Sequence, residues 1–166
     1  MYKVLLAEDE VLIRAGIQAS VPWSQMNMQV VACCSDGAAA WNVCLQEMPD
    51  IIITDIRMPL MDGLALIRKI REHDLRCRII IITCVEDFFL VKDILDKDIT
   101  AYLLKATMTT EDILNTLAKA QDHLDNFDRV GSPFHPYRRS FRDLLRSYVL
   151  DRAITCSEFS QRASEV

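Results

Sequence analysis

The chain has 166 residues, of which 51% are hydrophobic and 26% are charged, and its formal net charge is −5. This composition is typical of one globular domain with a short extension and excludes a disordered chain. Residues 1–124 carry a net charge of −6, which argues against a nucleic-acid surface there, and no apolar run approaches the roughly 20 residues that cross a bilayer.

Five short apolar segments alternate with helical patterns along the chain. They lie at 3–7, 29–33, 51–54, 78–83 and 101–104. The isoleucine runs at 51–53 and 79–82 are continuous, which is typical of parallel strands that are buried on both faces. We therefore expect a parallel sheet whose two faces are covered by helices.

Helices are predicted after each strand, at 10–20, 37–48, 63–72, 87–97 and 110–127. Asp36 and Asp62 precede the second and third helices and are good N-caps, as is Thr109 or Thr110 for the fifth. Repeated strand–helix units with right-handed crossovers predict a doubly wound α/β fold with a five-stranded parallel sheet.

A break at 131–136 is followed by a further helical pattern at 137–152, with an apolar stripe and an arginine-rich side. This predicts a domain at 1–127 and a helical linker or extension at 128–166. We expect the extension to be an interdomain linker or dimerisation arm that is truncated before the domain it serves.

The glycines and cysteines exclude several kinds of site. The four glycines form neither a G-x-G-x-x-G nor a G-x-x-x-x-G-K motif, which excludes a Rossmann dinucleotide site and a P-loop. The six cysteines contain no C-x-x-C pair, so we expect reduced, buried thiols and no zinc. The N-terminus lacks the pattern of a signal peptide, which predicts a cytoplasmic location.

Polar residues follow the predicted strands. Glu8 and Asp9 follow the first strand, Asp55 the third, Thr83 ends the fourth, and Lys105 follows the fifth. The carboxyl ends of parallel strands meet at one edge of a sheet, so these residues are predicted to converge. An oxygen-only cluster of carboxylates suits Mg²⁺, and a carboxylate beside such an ion can attack phosphorus to form an acyl phosphate.

These motifs resemble the receiver domain of two-component response regulators. The resemblance covers about residues 1–124 and is carried by the segments at 5–10, 50–59, 61–63, 82–83 and 101–105. It implies the flavodoxin-like strand order 2-1-3-4-5. A shorter resemblance, at 1–23, 54–59 and 141–145, is to receivers that precede AraC-type helix-turn-helix domains.

The resemblance implies a role for each residue of the metal and acceptor site. Asp55 would be the phosphoacceptor. Asp9, Asp55 and the backbone carbonyl of Arg57 would bind Mg²⁺ directly, and Glu8 would bind it through a water molecule.

It also implies how the phosphoryl group is bound and sensed. Thr83 and Lys105 would contact the phosphoryl oxygens. Thr83 and Tyr102 would form the switch pair, in which Thr83 moves toward the phosphoryl group and Tyr102 turns inward. Pro59 and Gly63 would shape the loop after Asp55.

The partners implied by the resemblance are a sensor histidine kinase and a second copy of the chain. The homodimer would use the face formed by the predicted fourth helix, fifth strand and fifth helix. DNA would be bound only through an effector domain outside these residues, to control transcription, and no membrane partner is expected. The domain would not be an enzyme beyond autophosphorylation from small donors and autodephosphorylation.

Two departures from the family leave an alternative open. Ala106 stands where the family has a proline after a cis bond, which makes a cis bond improbable here, and Cys84 stands where it prefers alanine or glycine. The alternative is a degenerate receiver that serves as a phosphorylation-independent dimerisation or protein-binding module. A phosphatase of the haloacid-dehalogenase type is disfavoured because its D-x-D motif would need an aspartate at Arg57.

Overall fold

A computed structural model of the chain describes residues 1–73, 77–84 and 99–129. All of them belong to Met1–Ser132, the first of the two units into which the chain divides. The predicted fourth helix at 87–97 and the predicted extension, except for its first two residues, lie outside the described residues. The predicted domain limits, 1–127 and 128–166, stay a prediction.

The strands of the described residues form one parallel sheet in the order β2-β1-β3-β4-β5. They are β1 (Tyr2–Ala7), β2 (Met28–Cys34), β3 (Ile51–Asp55), β4 (Arg78–Thr83) and β5 (Ala101–Leu104). The predicted fold class and the strand order implied by the resemblance are confirmed.

The helices within the described ranges are α1 (Val11–Ser20), α2 (Gly37–Glu47), α3 (Gly63–Glu72) and α4 (Thr110–Arg129), the last corresponding to the fifth predicted helix. The predicted caps are present. Asp36 accepts a hydrogen bond from the backbone N–H of Ala39 at 2.7 Å, and Asp62 accepts one from Ala65 at 2.6 Å. These caps satisfy donors that would otherwise lack a partner at the first turn, and so define where α2 and α3 begin.

The hydroxyl of Thr109 caps α4 in the same way. It accepts a hydrogen bond from the backbone N–H of Asp112 at 3.2 Å, and the Asp112 carboxylate accepts one from the N–H of Thr109 at 2.9 Å. This reciprocal arrangement satisfies two backbone donors at once.

The two isoleucine runs supply both faces of the sheet. Successive residues of a strand point to opposite faces, so Ile52, Ile79 and Ile81 pack toward α2 and α3. Their neighbours in the same strands pack toward α1 and α4. The continuous apolar pattern is thus explained by helices on both faces.

The expectation of buried thiols is only partly right. Cys34, Cys44 and Cys77 are buried, but Cys33 and Cys84 are exposed. Cys33 lies in the edge strand β2 and Cys84 directly follows β4, so neither is covered as a central strand residue would be. Cys156 lies outside the described residues.

No helix within the described ranges is long and apolar enough to cross a membrane.

Candidate functional site

The register of the sheet places Glu8, Asp55 and Lys105 at one edge. Ala7 pairs with Thr54 in the adjacent strand, so the residues that follow them, Glu8 and Asp55, are neighbours. The backbone N–H of Lys105 donates a hydrogen bond to the Thr83 carbonyl at 2.8 Å. The topology therefore brings together groups that lie far apart in the sequence.

The ammonium group of Lys105 contacts three carboxylates. Its Nζ atom lies 2.8 Å from Glu8 Oε1, 2.8 Å from Asp55 Oδ2 and 2.7 Å from Glu10 Oε1. The side chains of Lys105, Glu8 and Asp55 are 7%, 1% and 5% exposed, whereas that of Glu10 is 56% exposed. One cation thus compensates two buried negative charges and one exposed charge.

The ionised form of Glu8 is disfavoured at this site. Burial raises its pKa to about 7, although the hydrogen bond from Lys105 opposes this, and the neighbouring charge of Asp55 adds to the rise. Its second oxygen, Oε2, is buried and has no hydrogen-bond partner in the described part of the chain. A buried carboxylate oxygen without a partner is costly and is a ready ligand for a cation.

Asp55 and Lys105 shift each other in the expected directions. Burial raises the pKa of Asp55, while Lys105 and the backbone N–H of Ile56, 2.6 Å from Oδ1, oppose the rise. For Lys105, burial lowers the pKa, but its hydrogen bonds to the carboxylates outweigh this and raise the pKa above its usual range. Lys105 is therefore a permanent cation at this site.

The acidic residues fit a divalent cation with oxygen ligands. Carboxylate oxygens of Glu8, Asp9 and Asp55 all lie within 4.8 Å of one another. Such a hard-oxygen set with few protein ligands is what Mg²⁺ prefers. The unpartnered Glu8 Oε2 atom gives independent support, because a cation nearby would compensate its burial.

The loop after β3 is held against the acidic site by two glycines. The N–H of Gly63 donates to the Ile56 carbonyl at 2.8 Å, and that of Gly37 donates to the Met61 carbonyl at 3.0 Å. A Cβ atom at Gly63 would lie 1.9 Å from the Asp55 carbonyl oxygen. Only glycine allows this approach, which explains how Gly63 shapes the loop.

An open pocket of about 490 Å³ lies beside this loop. Its lining includes Asp9, Arg57, Pro59 and Asp62. The pocket therefore opens next to Asp9 of the acidic cluster.

Thr83 and Tyr102 lie where the sequence places them, at the end of β4 and within β5. The Thr83 side chain is buried, and its hydroxyl donates to the Cys84 carbonyl at 3.4 Å. Tyr102 pairs with Ile81 and its hydroxyl oxygen is shielded from solvent. The roles of both residues stay predictions.

The two departures from the family leave Lys105 in contact with Asp55. Every peptide bond in the described ranges is trans, including the bond between Lys105 and Ala106, as the alanine predicts. The Cys84 residue is exposed. Lys105 therefore reaches the buried acid without a proline after it.

Sequence reasoning missed two residues of this edge, Glu10 and Arg14. The Arg14 guanidinium donates hydrogen bonds to the backbone carbonyls of Glu8 and Asp9, the latter at 3.3 Å, and so holds the turn after β1. Glu10 is the third acid in an unbroken row, and Arg14 follows it by four residues, one helical turn. That spacing was the available signal.

Comparisons with known proteins agree on one family. The family model described as the response regulator receiver domain matches residues 4–118. An uncharacterized response regulatory protein of Staphylococcus epidermidis is 34% identical over 151 residues, which are 88% of this chain and 57% of that protein. The transcriptional regulatory protein HptR of Staphylococcus aureus is 31% identical over 148 residues, with the same coverage of 88% and 57%.

Solved structures give the same result. The REC domain of AraT, a response regulator from Geobacillus stearothermophilus, is 35% identical with a TM-score of 0.72, and the match covers 76% of this chain and 98% of that one. A LuxR-family DNA-binding response regulator from Staphylococcus aureus is 27% identical with a TM-score of 0.63, over 72% and 98% of the two chains. The chain spans just over half the length of the curated relatives it matches.

Proposed function

The chain belongs to the response regulator receiver domain family, and on that basis we propose that Asp55 accepts a phosphoryl group from the phosphohistidine of a sensor histidine kinase. Receiver domains bind Mg²⁺ at an acidic pocket, and response regulators receive their signals from such kinases. The observation that carries the proposal is the contact between buried Asp55 and Lys105 beside Glu8 and Asp9.

Asp55 is the nucleophile in this proposal. Its Oδ1 atom is oriented by the Ile56 N–H and its Oδ2 atom by Lys105. A carboxylate oxygen forms a bond to phosphorus while the P–N bond of the donor breaks. The electron pair returns to the imidazole nitrogen, which takes up a proton. Lys105 supports the reaction because its contact favours the ionised form of Asp55, which burial disfavours.

Asp9, Asp55 and the backbone carbonyl of Arg57 would hold Mg²⁺, with Glu8 acting through a water molecule. When bound, the ion neutralises negative charge on the phosphoryl oxygens. Arg14 fixes the turn that presents Glu8 and Asp9. Gly63 packs directly against the Asp55 backbone, and with Pro59 it would fix the loop that presents the Arg57 carbonyl.

The phosphoryl group would then be held by Lys105 and Thr83. Movement of Thr83 toward it would let Tyr102 turn further inward, which would change the face formed by β5, α4 and the predicted helix at 87–97. We propose that this face mediates homodimerisation. An AraC-type effector domain would then control transcription in the cytoplasm.

The test is intact-mass spectrometry of the chain with Mg²⁺ and acetyl phosphate. One phosphoryl adduct is expected, labile to hydroxylamine as an acyl phosphate should be. Asp55→Asn should abolish it, and the matched variant Asp122→Asn, which changes an exposed aspartate of α4, should keep it. Chelation of the divalent ion should also prevent it.

Failure to form the adduct would overturn the proposal, provided that a known receiver is modified under the same conditions. The alternative, a phosphorylation-independent binding module, predicts that outcome together with an oligomeric state that does not respond to the phosphodonor.

A further inference from the structure

Each N–H of the Lys105 ammonium group already donates a hydrogen bond to a carboxylate. A lysine ammonium carries three donors. In the described part of the chain, Glu8, Asp55 and Glu10 accept hydrogen bonds from Lys105 Nζ at 2.8, 2.8 and 2.7 Å. A phosphoryl oxygen that binds Lys105 must therefore displace one of these carboxylates.

Glu10 is the carboxylate that can leave at the smallest cost. Its side chain is 56% exposed, so water can replace the hydrogen bond that it loses. The side chains of Glu8 and Asp55 are 1% and 5% exposed, so water cannot replace the contact with Lys105 that either would lose before the P–O bond forms. The difference in exposure thus ranks the three contacts by how readily they break.

We propose that Glu10 is a positioning residue that occupies the third N–H of Lys105 in the unmodified protein and yields it to a phosphoryl oxygen during transfer. This inference rests on the proposed function of Asp55. Glu10 makes the reaction slower, because its contact with Lys105 must be broken first.

The charge of Glu10 has a second effect on the incoming donor. The carboxylate is exposed beside Lys105 and Asp55, so it repels an anionic phosphodonor that approaches them. A neutral side chain of the same shape removes this repulsion and makes a weaker hydrogen bond to Lys105. Both effects predict faster phosphorylation when Glu10 loses its charge.

The test compares initial rates of adduct formation for the wild type, Glu10→Gln and Glu72→Gln, with Mg²⁺ throughout. Glu72, an exposed glutamate, serves as the matched control. It lies at the C-terminal end of α3, and that end of the helix is at the opposite edge of the sheet. With acetyl phosphate, a doubly charged donor, Glu10→Gln should react about three- to tenfold faster, as expected for one unit charge a few ångströms away in water.

Two further readouts separate this role from a structural one. With phosphoramidate, a singly charged donor, the gain of Glu10→Gln should be smaller. High salt should reduce the gain for both donors, because it screens an exposed charge. The thermal unfolding midpoint of Glu10→Gln should stay near that of the wild type, since the side chain is largely exposed.

Equal rates for Glu10→Gln and the wild type would overturn the proposal, and so would a slower rate. An equal gain for Glu72→Gln would also overturn it, because the effect would then reflect net charge alone. These outcomes differ from failure of the proposed function, in which the wild type itself acquires no phosphoryl group on Asp55.

Discussion

Two lysines lie at the opposite edges of the sheet that the strand ends form. Lys3 lies at the amino edge, near the start of β1, and Lys105 lies at the carboxyl edge, directly after β5. Each makes ion pairs at hydrogen-bonding distance. Lys3 Nζ lies 3.1 Å from Glu47 Oε2, and both side chains are about half exposed, at 45% and 47%. Lys105 Nζ lies 2.8 Å from both Glu8 and Asp55, and all three side chains are at most 7% exposed.

The difference between these edges is one of solvation. Water solvates Lys3 and Glu47 whether or not they pair, so their contact stabilises the fold little. Glu8 and Asp55 have lost their water, and burial raises the pKa of both. At the Lys105 edge the buried carboxylates therefore depend on one cation, while the Lys3 edge is an ordinary surface.

The largest effect is expected from Lys105→Met, which removes the cation that contacts the two buried carboxylates, Glu8 and Asp55. At neutral pH, and with divalent ions chelated, the free energy of unfolding should fall by about 3 kcal/mol, because two carboxylates stay buried without a partner. Denaturant unfolding measures this. Added Mg²⁺ should restore part of the loss. A variant as stable as the wild type would show that the two edges do not differ as described.

An effect of similar size is expected from Glu8→Gln, and it should depend on pH. The pKa of Glu8 is about 7 in the folded protein, against an ordinary value of 4.5. Between these pH values the folded state binds more protons than the unfolded state, so the stability that neutral Glu8 contributes falls as pH rises. Below pH 4.5 the wild type and the variant should be similar.

Above pH 7 the variant should be more stable by about 3 kcal/mol, with the difference developing between those two values. Unfolding free energies of both proteins across this range, without divalent ions, measure the difference. Asp55 and Lys105 are present in both proteins, so the difference between the two curves reports chiefly on Glu8. A difference that is constant with pH would contradict the raised pKa.

Mg²⁺ should stabilise the fold through the Lys105 edge alone. At a free concentration ten times its Kd, a ligand bound only by the folded state adds about 1.4 kcal/mol. The thermal unfolding midpoint of the wild type should therefore rise with Mg²⁺ and return on chelation. Asp9→Asn should lose most of the rise, while Asp122→Asn should keep it. A full rise in Asp9→Asn would place the ion elsewhere.

The smallest effect is expected from Lys3→Ala at the other edge. The loss of the half-exposed pair with Glu47 should cost at most about 0.5 kcal/mol and should vanish at high salt. Denaturant unfolding at low and high salt checks this. A loss comparable to that of Lys105→Met would remove the contrast between the two edges.

Most of the fold was predictable because its signals are local. The isoleucine runs at 51–53 and 79–82 mark β3 and β4, whose side chains are buried on both faces of the sheet. Asp36 and Asp62 mark the starts of α2 and α3 through bonds to residues three positions away. The exposed Cys33 and Cys84 were missed, because burial at a strand end depends on what covers it and not on residue type.

The candidate site was predictable in its members but not in its contacts. Because parallel strands end at one edge, the order of the elements is enough to bring Glu8, Asp9, Asp55 and Lys105 together. That order does not say that Glu10 shares the Lys105 ammonium, or that Arg14 holds the turn. Those contacts depend on side-chain reach across the assembled edge.

The sequence by itself determined the order of the elements, the two-sided burial of the central strands and the set of acidic and basic residues at the carboxyl edge. These follow from periodicity, capping and connection rules that act over a few residues. Only the tertiary structure decided that one ammonium serves three carboxylates, since Lys105 meets Glu8 across 97 positions of sequence. Only packing can bring such distant groups into contact, remove their water and leave one oxygen of Glu8 without a partner in the described residues.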